Sequence, residues 1–266
     1  MRTNITLPKL PRPTLVEVRK YWDEDDQIAR LLRAGLSAPT PYEVVESEGN
    51  LLTTTGSGGA FNLLTGLSTA GLATPFNTTN AQLAVGDSST ATSGAHTDLQ
   101  AALATKINAA DTTSQSGTPI VLAGTYSPTP VIGEVYALSG FGGANAANIN
   151  NTFELSAASA SSITLLGSTT GTITLAGGIV QKVNKYRQQA NGAGSAVITT
   201  NSIVYVAVFG TANANFAWLE WGLTTGAAAT NKQAAPPPSL FNRAIPSLGT
   251  KSNSATWTLS VTCTLA

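Results

Sequence analysis

The closing stretch of this chain constrains its fold more than any other. Trp257, Leu259, Val261, Cys263 and Leu265 alternate with Thr258, Ser260, Thr262 and Thr264. A period of two puts successive side chains on opposite faces of a strand, and Thr suits a pleated surface. The alternation predicts a strand with a core on one face and solvent, or a partner, on the other. It also predicts that the end of the chain is locked into a sheet. Such a strand needs partners, so the rest of the sequence is read first for strands.

Tyr42 to Glu48, Ala81 to Val85, Val197 to Phe209, Phe216 to Leu223 and Leu240 to Ile245 are candidates. The second half of Val197 to Phe209 is apolar at consecutive positions, as expected of a central strand covered on both faces. A second group is shorter and separated by Gly, Asn, Ser and Pro. It comprises Ile120 to Leu122, Gly133 to Leu138, Thr152 to Leu155, Ile163 to Leu165 and Gly171 to Leu175. Ile163-Thr164-Leu165 recurs as Ile173-Thr174-Leu175 and predicts a hairpin, and Gly140 to Asn151 predicts a loop.

Helical signals are few. Asp23 predicts an N-cap, with Glu24, Asp25 and Asp26 in the first turn, Arg30 and Arg33 in the last, and Gly35 after the end. This places a helix over 24–34. Thr97-Asp98-Leu99-Gln100 matches a capping box, and Leu99, Ala102, Leu103 and Lys106 follow at helical spacing, predicting a helix over 98–107. Another short helix is expected in the second part of 50–67, after Gly56-Ser57-Gly58-Gly59.

Charge divides the chain. Only 11% of its 266 residues are charged, under half of the usual quarter. The first 50 residues hold 15 of the 28 charges. Pro8, Pro11 and Pro13 keep that region extended and outside a regular sheet. The expected division is an N-terminal extended arm and helix over 1–42, a body over 43–110 and 186–266, and an inserted small β-domain over 111–185. The fold class is mainly β, with a β-sandwich body of jelly-roll or Ig-like form. The arm either packs on its own body or reaches a neighbouring subunit.

The chemical inventory is poor. A hydroxyl triad needs a histidine beside a nucleophile and a carboxylate. The one histidine is His96, in His96-Thr97-Asp98, where Thr97 reads as a helix cap. Beyond residue 50 the acids are Asp87, Asp98, Asp111, Glu134, Glu154 and Glu220. None are spaced as a metal loop, and Glu134 and Glu154 read as solvated strand positions. GxSxG, P-loop, GxGxxG and HExxH motifs are missing. No catalytic, cofactor-binding or metal-binding residue is assigned, and the expectation is a non-enzyme with no cofactor. Phe209, Phe216, Trp218, Trp221 and Trp257 read as core. Trp218 and Trp221, three apart on one strand, should face opposite ways, with one at a subunit contact or stacked on sugar. Arg243 is placed beside the sheet, where Glu220 can pair with it.

Net charge is zero, which argues against a nucleic-acid partner and leaves little repulsion between copies. One cysteine, Cys263, allows no internal disulfide and suits a reducing cytoplasm. Met1 to Pro13 lacks a signal-peptide core, and the longest apolar run, Ile203 to Phe209, is too short to span a bilayer.

Several segments resemble tailed-bacteriophage virion proteins. These are Asn213 to Gly222, Phe241-Asn242-Arg243, Ser247 to Lys251 and Thr256 to Thr262, with Glu48 to Leu52 and Leu83 to Ser88 upstream. The resemblance covers roughly 43–105 and 195–266. The stretch Ala227 to Pro238, with three consecutive prolines, departs from it and is expected as a contact loop. The resemblance implies a structural virion protein, assembled in the host bacterial cytoplasm. The leading expectation is a capsid decoration, or cement, protein on the outside of the head. It would bind the major capsid protein and its own copies as a homotrimer, without nucleic acid or membrane. The alternatives are a tail component (fibre, baseplate or tube subunit) and a carbohydrate-binding receptor protein using Trp218 or Trp221.

Overall fold

The computed structural model describes residues 14–48, 51–52, 80–101, 103–107, 119–144, 146–166, 178–193, 195, 197–198, 202–225 and 239–264. Its first half runs β1 (Thr14–Trp22), α1 (Gln27–Arg33), β2 (Glu43–Glu48), β3 (Leu51–Leu52), β4 (Ala81–Gly86), β5 (Leu103–Ile107), β6 (Val121–Ala123), β7 (Val135–Ser139) and α2 (Ala146–Ile149). There follow β8 (Thr152–Ala158), β9 (Ser162–Leu165), β10 (Ile179–Val183), β11 (Lys185–Gln189), β12 (Val197–Ile198) and β13 (Ser202–Phe209). The chain closes with β14 (Ala217–Trp218), β15 (Glu220–Thr225), β16 (Ser239–Ala244), β17 (Gly249–Thr250) and β18 (Ala255–Thr264).

The protein is mainly β and its strand pairs are antiparallel. One five-stranded sheet has the order β12-β13-β18-β1-β2, and a second has β11-β4-β15-β16-β3. They share one core. Val16, Val18, Phe209, Leu259 and Val261 come from the first sheet, and Leu83, Val85, Tyr186, Trp221 and Leu223 from the second. Phe209, Trp218 and Trp257 join them edge to face, with centroids 4.8 Å apart at each step. Each such pair adds about 0.5–1.5 kcal/mol beyond the area it buries. The third sheet, β5-β10-β7-β8-β9-β6, has a core of its own that includes Ile120, Leu122, Tyr136, Phe153, Ile163 and Val180. In sequence it lies between β4 and β11, which pair with each other from Gln82↔Gln189 to Gly86↔Lys185.

β18 is the long alternating strand expected. It pairs with β13 on one side and β1 on the other. Its first half departs from the one-faced expectation, because Thr256 and Thr258 are buried as well as Trp257 and Leu259. Helix α1 lies over that outer face, and Asp23 accepts the Thr256 hydroxyl at 2.7 Å.

The arm is the largest correction. Pro8, Pro11 and Pro13 lie outside the described residues, but Thr14–Trp22 is an interior strand of the first sheet. Val16, Val18 and Lys20 face inward, while Glu17 and Arg19 face out. A charge count over fifty residues hid this period of two. Lys20 is itself buried, bonded to Glu43 at 2.9 Å with its ammonium 4.5 Å from the centre of the Trp257 ring.

Helix α1 is shorter than expected. It begins at Gln27, with no acid in its first turn. Asp23 accepts the Ala29 N–H from six residues back, and Asp26 occupies the cap position at φ 60° with its carboxylate turned to Thr211. Arg30 and Arg33 close the helix, and Gly35 follows at φ 72° as expected.

The helix expected over 98–107 is overturned. Leu103–Ile107 is β5, which pairs with β10 and extends the third sheet at its edge. Tertiary pairing outweighs a local capping signal there. The predicted hairpin of Ile163–Leu165 with Ile173–Leu175 is also overturned, because β9 has β8 on one side and β6 on the other. Gly171–Leu175, the expected helix within 50–67 and the Ala227–Pro238 loop all fall outside the described residues, apart from Leu51–Leu52 in β3. The expected loop over 140–151 contains α2, which buries Ile149.

Candidate functional site

The least ordinary chemistry lies where β4, β15 and β16 meet the strap of residues 88–101. Glu220 opens β15 opposite Gly86, the last residue of β4. A Cβ on Gly86 would collide with the Glu220 carboxylate, so glycine makes room for it. Arg243 reaches in from β16, and its Nε donates to Glu220 Oε2 at 2.6 Å, with both residues wholly buried. This is the pairing expected from the sequence. The Gln100 N–H also donates to Oε2, at 3.0 Å. Burial raises the Glu220 carboxyl above its ordinary range, and the Gln100 N–H and Arg243 pull it back.

The other end of the guanidinium holds the strap. Arg243 Nη2 donates to the Thr90 carbonyl at 2.9 Å, and Nη1 lies 3.4 Å from the Ala91 carbonyl and 3.3 Å from His96 Nδ1. Lys185 pairs with Asp98 at 2.7 Å further along. Leu99 packs with Ala84 and Leu240 underneath. His96 is therefore part of this network and not simply a residue before a helix. Its partners are Arg243 and the Ser93 backbone N–H, not a hydroxyl. Burial lowers its pKa, and the nearby Arg243 guanidinium lowers it further. Thr97 caps no helix.

A second locus joins the third sheet to the core. Glu134 binds Lys182, the Tyr136 hydroxyl and the Val131 N–H. Tyr186 of β11 donates to Glu154 at 3.2 Å and accepts from Asn213 at 2.8 Å. The expectation that Glu134 and Glu154 lie on a solvated face is corrected, since both are half-buried and tie elements together. Beside them is a cavity of about 260 Å³ lined by Lys182, Asn184, Phe216 and Lys251 among others. Lys251 is buried, and its three protons go to the Gly210 carbonyl, Asn215 Oδ1 and the Ser252 carbonyl. Burial lowers its pKa to about 7, opposed by Asp26 and Asp23. Its polar neighbours are already committed to one another.

Trp218 and Trp221 were expected on opposite faces of one strand. The strand breaks at Leu219, Trp218 pairs into a separate ribbon with β17, and both indoles are fully buried in the shared core. Neither is open to a sugar or a subunit. The sequence missed several exposed apolar side chains on and beside β1 and β2. Trp22 is 65% exposed and stacks on Tyr42 at 4.6 Å, with Leu36 and Val44 also exposed. Their signal was Trp22 closing an alternating segment. Among the described residues, no group of three or more His, Cys, Asp or Glu is placed to hold a metal ion, and no helix is long and apolar enough to cross a membrane.

No family model, curated protein or solved structure matches this chain.

Proposed function

We propose that this chain is a structural, non-enzymatic virion protein of a tailed bacteriophage, assembled in the host cytoplasm. Within that class we assign it to capsid decoration. It would cover the outside of the head, bind the major capsid protein and associate with its own copies as a homotrimer. The finer architecture we propose is a β-sandwich, jelly-roll or Ig-like, made of the two five-stranded sheets, with the third sheet inserted.

One observation carries this reading. Buried charged groups are used to hold the fold, as in the Glu220–Arg243 pair and in Lys20, which reaches out to Glu43, while apolar side chains such as Trp22, Tyr42 and Val44 are left at the surface. Such a surface gains free energy by association. A cement protein works by many modest contacts over a wide area and needs no reacting group.

The test is to add the purified protein to expanded heads that lack it. Saturable binding at a copy number near that of the capsid protein is expected, with a gain in head thermal stability. No binding, or enrichment in separated tails instead of heads, overturns the decoration role. The tail alternative is decided by the same fractionation. The glycan-binding alternative loses its original basis, because Trp218 and Trp221 are enclosed.

A further inference from the structure

We propose that residues 91–97 form a pH-sensitive cover over the outer end of Arg243, latched by His96 and released when that ring takes up a proton. The inference is independent of the decoration role.

The cover is a short loop tethered at both ends. Arg243 Nη2 holds the Thr90 carbonyl at 2.9 Å on one side, and Lys185 holds Asp98 at 2.7 Å on the other. Between them the loop closes on itself. The His96 N–H donates to the Ser93 carbonyl at 3.1 Å, and the Ala95 N–H donates to Ser93 Oγ at 3.3 Å. Among the described residues, the hydrogen bonds from 91–97 to the rest of the protein all run through one atom. Arg243 Nη1 lies 3.4 Å from the Ala91 carbonyl and 3.3 Å from His96 Nδ1. Ala91, Ser93, Ala95 and Thr97 are exposed, while Arg243 is 1% exposed.

A guanidinium nitrogen only donates, so His96 Nδ1 is the acceptor in that contact. The Ser93 N–H also donates to Nδ1, at 3.3 Å. Two donors therefore converge on one lone pair, which exists only in the imidazole that carries its proton on Nε2. A proton on Nδ1 takes the acceptor from both and sets a second positive charge 3.3 Å from the guanidinium. Nothing within the loop compensates, because His96 is the one titratable residue in 91–97. The charged groups packed around the strap are Glu220 from β15, Arg243 from β16, Lys185 and Arg187 from β11, and Asp98 of the strap itself. The two acids are engaged elsewhere, Glu220 with Arg243 Nε and the Gln100 N–H, and Asp98 with Lys185. After burial, Arg243 is the charge that acts on the ring.

A histidine whose pKa is lowered in the closed form binds its proton more tightly once released. The cover is therefore closed above the ordinary value of about 6.5 and opens progressively as pH falls through the lowered one. Arg243 keeps Glu220 and the Thr90 carbonyl in both forms, and Lys185 keeps Asp98. The sheets stay paired, 91–97 lifts between its two tethers, and Nη1 of Arg243 is uncovered as a free donor.

A full-length chain carrying Cys263→Ala and Ala95→Cys takes one nitroxide label at an exposed position of the loop. Its paramagnetic resonance spectrum should show a restrained label at pH 7.5 and a mobile one at pH 5. The midpoint should coincide with the titration of the His96 ring followed by proton NMR, in which a single histidine reports. His96→Gln keeps a neutral acceptor, so its label should stay restrained at both pH values. His96→Lys carries a fixed charge and no acceptor, so its label should be mobile at both. The proposal is overturned if label mobility does not change with pH, if the change survives in His96→Gln, or if His96→Lys stays restrained. It is also overturned if the label is freed only where circular dichroism shows the sheets unfolding.

Discussion

Breaking the Glu220–Arg243 pair from either side should give two different pH profiles. The carboxylate and guanidinium meet at 2.6 Å with no exposure to solvent. Two unit charges near 4 Å attract by about 4 kcal/mol at an effective dielectric of 20, and removing one partner of a buried pair costs about 3–5 kcal/mol. Glu220→Gln leaves a buried guanidinium that cannot shed its charge, facing a neutral amide oxygen in place of the carboxylate, with the Thr90 carbonyl still accepting from Nη2 at 2.9 Å. Its cost should stay near that figure from pH 5 to 8. Arg243→Met leaves a carboxyl that can take up a proton. Burial already raises Glu220, and losing Arg243 raises it further. A carboxyl raised in the folded state binds more protons there than in the unfolded chain. The variant should therefore be least impaired below the unfolded pKa of about 4.3 and lose stability as pH rises through the folded one, by about 1.4 kcal/mol per unit. The double variant should cost less than the sum of the two by about 1.5 kcal/mol or more. Urea denaturation followed by Trp fluorescence, repeated between pH 4.5 and 8, measures all three. Additive single costs below about 1 kcal/mol, or parallel pH profiles, would refute the reasoning.

Three further outcomes follow from neighbouring contacts. Gly86→Ala should cost about 1–3 kcal/mol in the same denaturation, because the new methyl displaces the Glu220 carboxylate, and the loss should vanish when Glu220 is also changed to Ala. Lys251 binds fewer protons in the folded chain than in the unfolded one between pH 7 and about 10.4. Its contribution to stability should rise with pH across that window, and Lys251→Met should flatten the profile relative to wild type; an unchanged slope would count against the buried-amine assignment. The Cys263 thiol, half-buried and pushed up to about 11, should react with iodoacetamide at pH 8 far more slowly in the native protein than in urea, and equal rates would contradict its burial.

Much of the strand content was legible because it depends on local periodicity. β18, β4, β13 and β2 stand where the alternating or apolar runs put them. Gly35 and the two closing arginines likewise marked the end of α1. The failures share one cause, which is that a local signal was outweighed by a distant partner. The capping box at Thr97 gave way to β5 once β10 offered a strand edge. The Ile-Thr-Leu repeat suggested a hairpin, but β8 and β6 claimed both sides of β9. The fifty-residue charge count made an arm of a segment whose Val16 and Val18 belong to the core.

At the candidate site the sequence supplied the residue types and one pair. Arg243 and Glu220 are 23 positions apart, but β15 and β16 are antiparallel neighbours, so their meeting was readable from strand order. Gln100, His96 and the strap carbonyls at Thr90 and Ala91 were not readable, because those contacts span 120 to 153 residues and need the strap to lie over the sheet. The sequence alone determined a β-rich chain, sparing with charge, ending in a strand that demands partners. Only the tertiary structure decided which charges are buried and which apolar groups are left outside. Burial depends on the neighbours a side chain meets across the sheets, and those are set by pairings between residues far apart in the chain.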